Sequence, residues 1–120
     1  MTRILAVDDS PSMRDMVHMA LTSAGFEVMQ ATDGDEALAL ARSSSFDLIL
    51  SDVNMPRMDG IALIRALRAE GAYRHTPILM LTTDASAERK REGKEAGATG
   101  WIVKPFDPAQ LIATMLRVLR

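Results

Sequence analysis

The feature that most constrains this chain is a regular alternation of short apolar runs with segments of helical period. Ile4-Leu5-Ala6-Val7, Leu48-Ile49-Leu50, Ile78-Leu79-Met80-Leu81 and Trp101-Ile102-Val103 are continuous runs suited to strands covered on both faces. Phe26 to Gln30 is more mixed and reads as an edge strand. Strands separated by helical segments are the pattern of βαβ units wound about a parallel sheet. The expected fold class is therefore α/β, with a five-stranded parallel sheet and helices on both faces.

The helices carry their own stop and start signals. After the first strand, Met13, Met16, Val17, Ala20, Leu21 and Ala24 recur at helical spacing, with Ser10 as N-cap, Pro11 in the first turn and Gly25 as a left-handed stop. The methionines Met13, Met16 and Met19 are expected to pack or half-pack on the sheet. Further helices are expected from Gly34 to about Arg42 and from Gly60 to Glu70, the latter with Asp59 as cap and Gly71 as stop. The last runs from Pro108 to Leu119, capped by Asp107 and burying Leu111, Ile112, Met115, Leu116 and Leu119. The segment Ser86 to Glu95 is mostly charged and contains Gly93, which costs about 1 kcal/mol in a helix relative to alanine. It is expected to be the most labile helix, and its run Glu88-Arg89-Lys90-Arg91-Glu92 reads as a solvated face.

Composition narrows the class of function. The chain has 120 residues, the length of one domain spanning 1–120, with no repeat, low-complexity tract or linker. The chain stops at Arg120 on this last helix, so nothing is expected to be left over for an output domain. Cysteine is absent, which removes disulfides, thiolate nucleophiles and cysteine-ligated metals and fits a reducing compartment. His18 and His75 lack neighbours at ligand spacing and read as surface residues. A net charge of −2 argues against nucleic acid as a direct partner. The N-terminus passes from Ile4-Leu5-Ala6-Val7 directly into Asp8-Asp9, unlike a secretory segment, and no run is long enough to enter a membrane. A cytoplasmic protein is expected.

Ligands of open parallel sheets bind beyond the carboxyl ends of the strands. Here strand one is followed by Asp8-Asp9, strand three ends in Ser51-Asp52, strand four in Thr82-Thr83-Asp84, and strand five in Lys104-Pro105. Three carboxylates, a hydroxyl and an ammonium at one sheet edge make a hard oxygen site for a small cation such as magnesium, with the lysine placed to meet an anion. Left alone, such carboxylates repel and partly protonate, whereas a cation and Lys104 favour their ionised forms. Asp59 precedes an apolar helix as Asp-Gly and reads as a cap.

Asp8-Asp9, Asp52 within Asp-Val-Asn-Met-Pro-Arg-Met-Asp-Gly, Thr82 and Lys104-Pro105-Phe106, in that order, resemble the response-regulator receiver domain over essentially the whole chain. Among receivers, the length and the stretch Asp52 to Gly60 are most similar to the stand-alone chemotaxis regulators. The resemblance implies the flavodoxin-like strand order 2-1-3-4-5 and a cis Lys104-Pro105 bond. It implies that Asp52 accepts a phosphoryl group from a sensor histidine kinase and that Asp9, Asp52 and the backbone carbonyl of Asn54 hold Mg2+. Asp8 would support the metal through a water, Lys104 would pair with the phosphoryl oxygens and Thr82 would swing to bond one of them. Trp101 would be the aromatic switch, at a position where the family commonly carries Phe or Tyr. The surface from helix four through helix five would then meet a protein target, a flagellar switch protein in the chemotaxis case. The residues bordering the path of attacking water would be Asn54 and Asp84.

Two other readings use the same residues. A single-domain relay or phosphate sink would pass the group on without a motor target. A magnesium-dependent phosphohydrolase of the haloacid dehalogenase kind also uses an aspartate nucleophile after a strand, but it needs an acid two residues on, where this chain has Asn54. A flavin domain would need amides cradling phosphate where Asp8-Asp9 would repel it.

Overall fold

The computed structural model describes residues 1–84 and 86–119. Five strands, β1 (Arg3–Val7), β2 (Glu27–Ala31), β3 (Leu48–Asp52), β4 (Ile78–Thr82) and β5 (Gly100–Val103), form one parallel sheet in the order β2-β1-β3-β4-β5. The helices are α1 (Pro11–Ser23), α2 (Gly34–Ser43), α3 (Gly60–Ala69), α4 (Ala87–Ala96) and α5 (Pro108–Val118). α5 ends at Val118, one residue short of the expected Leu119, and Arg120 lies outside the described residues.

Alternation along the strands sends side chains to two cores. Leu5, Val7, Ile49, Ile78 and Met80 meet Ala37, Leu38 and Ala41 of α2 and Ile61, Leu63, Ile64 and Leu67 of α3, with Ala96 of α4 at the margin. Ile4, Ala6, Leu48, Leu50, Leu79 and Leu81 meet Val17 and Leu21 of α1 and Leu111 and Met115 of α5. β3 and β4 are buried at every position, as strands covered on both faces must be. All five strands therefore point their carboxyl ends at one edge of a sheet that packing holds rigid.

The expected caps act: Ser10, Asp59 and Asp107 each accept a backbone N–H from the first turn of their helix, and Gly25 stands at φ 92° after α1. Ser86, expected inside its helix, caps α4 instead by accepting the Arg89 N–H. Asp33 does the same for α2. Lys104-Pro105 is cis.

Several expectations are corrected. β2 begins at Glu27, because the Phe26 N–H still bonds back to the Leu21 carbonyl, and it continues to buried Ala31 opposite Val7. β5 is the second edge strand, only partly covered, with Val103 exposed. Gly71 is not a left-handed stop: α3 ends at Ala69, and Gly71–Tyr73 forms a 3-10 turn that carries Tyr73 inward, its single hydroxyl proton shared between the Ala41 and Ser44 carbonyls at 2.6 and 2.7 Å. Met16 and Met19 of α1 are 50% and 68% exposed, and Leu116 of α5 is 52% exposed. Each helix lies on the sheet along a narrow stripe that Val17 and Leu21, or Leu111 and Met115, already fill.

Candidate functional site

The carboxyl edge brings together the residues that the strand ends suggest. Asp52 is the last residue of β3 and is buried beside β4, opposite Leu81. Asp8 follows β1 and is buried, whereas Asp9 is exposed. One carboxylate oxygen from each of Asp8, Asp9 and Asp52 lies within 4.8 Å of the other two. The Lys104 ammonium enters from the end of β5, with Nζ 3.1 Å from Asp8 Oδ2 and 3.3 Å from Asp52 Oδ1.

Each group is held by its surroundings. Asp8 Oδ1 accepts from the Ser10 N–H, its carbonyl accepts from Arg14 Nη1, and its own N–H reaches the Ala31 carbonyl. Asp52 Oδ1 accepts from the Val53 N–H at 2.8 Å. Thr82 is fully buried at the end of β4, and its hydroxyl accepts the Asp84 N–H at 3.0 Å. That bond uses an acceptor lone pair and leaves the Thr82 proton available to an incoming oxygen.

Burial pushes the Asp52 carboxyl above the ordinary carboxylate range; Lys104 pulls it back down and Asp8 adds repulsion. Repulsion from Asp8 and attraction from Lys104 act in the expected directions, but desolvation, which the residue pattern does not reveal, is the larger cause and Asp8 ranks behind Lys104. Three carboxylates face one ammonium, and all the convergent donors are hard oxygens, which is the donor set a small divalent cation selects. The residues present therefore fit magnesium.

Asn54 follows in the loop between β3 and α3, exposed, and its side-chain Oδ1 accepts from Arg89 Nη2 at 3.4 Å. Asp84 accepts from the Ser86 N–H and is held below its ordinary value chiefly by that bond. Trp101 lies on β5 against α4, where a Cβ on Gly93 would collide with its ring. The ring therefore sits on the α4 side, and its buried Nε1 has no hydrogen-bond partner among the described residues.

Two contributors carry no sequence signal of their own. Arg14 is one more charged residue in the first turns of α1, and Arg89 sits in a run that reads as solvated. Only the folded edge reveals that they reach Asp8 and Asn54.

Residues 4–116 match the family model described as response regulator receiver domain. The chain is 42% identical over 105 residues to the chemotaxis protein CheY of Pseudomonas aeruginosa, covering 87% of this chain and 85% of that protein. It is 38% identical over 120 residues to the DNA-binding dual master transcriptional regulator RpaA of Synechocystis, covering 100% of this chain but only 50% of that one, so it spans about half of that relative's length. Among solved structures, chemotaxis protein CheY4 of Vibrio cholerae superposes with a TM-score of 0.95 at 56% identity, covering 98% of both chains.

Proposed function

This chain belongs to the response regulator receiver domain family, a family of two-component signalling proteins rather than conventional enzymes, and from that premise we propose that it is a phosphorylation-controlled binding module charged at Asp52. The observation that carries the reading is the convergence of the Asp8, Asp9 and Asp52 carboxylates with the Lys104 ammonium at one sheet edge.

In the proposed reaction a carboxylate oxygen of Asp52 attacks the phosphorus of a phosphohistidine on a sensor kinase. The new O–P bond forms as the P–N bond breaks, and the imidazole leaves with the electron pair and takes up a proton. Asp9, Asp52 and the Asn54 backbone carbonyl would hold Mg2+, with Asp8 supporting it through a water. When bound, the cation neutralises the clustered carboxylates and the phosphoryl oxygens. Lys104 supplies the remaining positive charge, released from its present pairing with Asp52. The Thr82 hydroxyl donates to a phosphoryl oxygen, and its movement opens space behind β4 for Trp101. A phosphoryl group adds nearly two negative charges and three acceptor oxygens, enough to bias such a rearrangement. Asn54 and Asp84 border the route of the water that later removes the group.

The output proposed is a protein target on the surface from α4 through α5, in a cytoplasmic chemotaxis pathway ending at a flagellar switch protein. The likeness to CheY proteins supports it. The phosphohydrolase reading is disfavoured by Asn54, whose amide accepts from Arg89 and has no proton of acid strength to give. Among the described residues no helix is long and apolar enough to cross a membrane.

The reading is tested by titrating the protein with beryllofluoride in the presence of Mg2+, following heat and Trp101 emission. One equivalent should bind with a change in emission, Asp52→Asn should abolish binding, and Thr82→Ala should bind with a smaller emission change. Absence of binding by the wild type, or equal binding by Asp52→Asn, contradicts it.

A further inference from the structure

Arg57 is the only non-glycine residue with a left-handed backbone among the described residues, at φ 66°. A bulky side chain adopts that conformation only where its surroundings hold it there. What holds it is visible. Arg57 Nη2 lies 3.0 Å from Asp33 Oδ2, and Asp33 is buried although Arg57 is 72% exposed. The other carboxylate oxygen, Asp33 Oδ1, caps α2 through the Glu36 N–H at 2.8 Å. One buried carboxylate therefore ties the start of α2 to the loop between β3 and α3.

The tie is reinforced one residue on. A Cβ at Gly34, the first residue of α2, would lie 2.6 Å from the Met58 carbonyl oxygen, so the two backbones approach as closely as glycine permits. At its far end the loop is closed by the Gly60 N–H bonding to the Val53 carbonyl at 2.8 Å. Residues 53–59 are thus fastened at Val53, at Arg57 and at Met58, and Asn54 lies inside the fastened stretch.

We propose that the Arg57–Asp33 ion pair positions the divalent-cation site: by docking the loop on the N-terminus of α2, it presents the Asn54 carbonyl to the cation held by Asp9 and Asp52. Arg57 and Asp33 are positioning residues that touch neither metal nor phosphoryl group. The inference rests on the receiver reading above, because it needs the Asn54 carbonyl to be a ligand. Partners one step removed from a metal ligand commonly change affinity by about tenfold or more when lost.

Charge alone makes a different forecast. Removing a nearby cation should strengthen Mg2+ binding and removing a nearby anion should weaken it, so the two single variants would move in opposite directions. Lost positioning weakens binding in both.

The test is calorimetric titration of Mg2+ into wild type, Arg57→Gln, Arg57→Lys and Asp33→Asn, with hydrogen exchange of residues 53–59 recorded without metal. Asparagine remains a good N-cap, so Asp33→Asn keeps α2. Arg57→Gln and Asp33→Asn should each bind Mg2+ about tenfold more weakly and exchange faster across the loop, and Arg57→Lys should recover most of the affinity. Tighter binding by Arg57→Gln, or unchanged affinity in both variants while the wild type binds, overturns this inference alone. No Mg2+ binding by the wild type overturns the receiver reading and this inference with it.

Discussion

At the scale of single residues, the burial that the proposed role of Asp52 calls for lowers stability. Its carboxyl is buried with one ammonium shared between two acids, and burial raises its pKa in the folded chain. A carboxyl with a raised folded pKa binds its proton more readily in the native than in the unfolded state. Stability on its account therefore falls as pH rises from the unfolded value through the folded one, and stays low above that window. Asp52→Asn keeps an acceptor for the Val53 N–H and removes the charge. It should raise stability at neutral pH by about 1 kcal/mol, a shift in melting temperature of roughly 3–6 °C for a domain of this size. The difference should shrink as pH falls through the window, and Mg2+ should stabilise the wild type more than the variant. Thermal melts from pH 4 to pH 8 check this, and a variant less stable than wild type at neutral pH contradicts it.

At the scale of elements, α3 and α4 make the contrast. α3 buries Ile61, Leu63, Ile64 and Leu67, whereas α4 buries only Gly93 and Ala96. Its low apolar content was legible in the sequence, and so were the caps Ser10, Asp59 and Asp107, because a Ser or Asp before a clear apolar period signals its own role. Asp33 and Ser86, before weaker periods, were not read as caps. The meaning of Gly93 was not legible. By propensity alone, Gly93→Ala should stabilise α4 by about 1 kcal/mol. In the fold, the added methyl would collide with the Trp101 ring, and overpacking of this kind costs about 1–3 kcal/mol. The structure therefore reverses the sign: Gly93→Ala should lower the urea midpoint and alter Trp101 emission, and a raised midpoint would refute the contact. Gly71 and Leu116 were misread for a related reason. A glycine after a helix and an apolar residue near helical spacing look alike whether or not tertiary contacts use them, and here Tyr73 and the Leu111–Met115 stripe decide.

At the scale of the whole molecule, the site was legible because a parallel sheet places every strand's carboxyl end at one edge. Asp8, Asp52, Thr82 and Lys104 each follow or end an apolar run, so the strand pattern alone brings them together. What remained hidden are the groups that approach from helices and loops. Arg14 reaches the Asp8 carbonyl from α1, Arg89 reaches Asn54 from α4, and Arg57 reaches Asp33 across two βα loops. Their spacing in the chain has no period to betray them, and long cationic side chains look like solvated surface until the fold fixes their ends. The same convergence also supports the proposed function, since a buried acid among other acids and one lysine suits a charged ligand better than a neutral one.

The most direct test of that claim is intact-mass measurement after incubation with acetyl phosphate and Mg2+. The wild type should gain one phosphoryl group, lose it again on standing, and fail to gain it when Mg2+ is chelated, while Asp52→Asn gains none because an amide offers no anionic oxygen for attack. A wild type whose mass does not change, or an Asp52→Asn variant labelled to the same extent, would contradict the account.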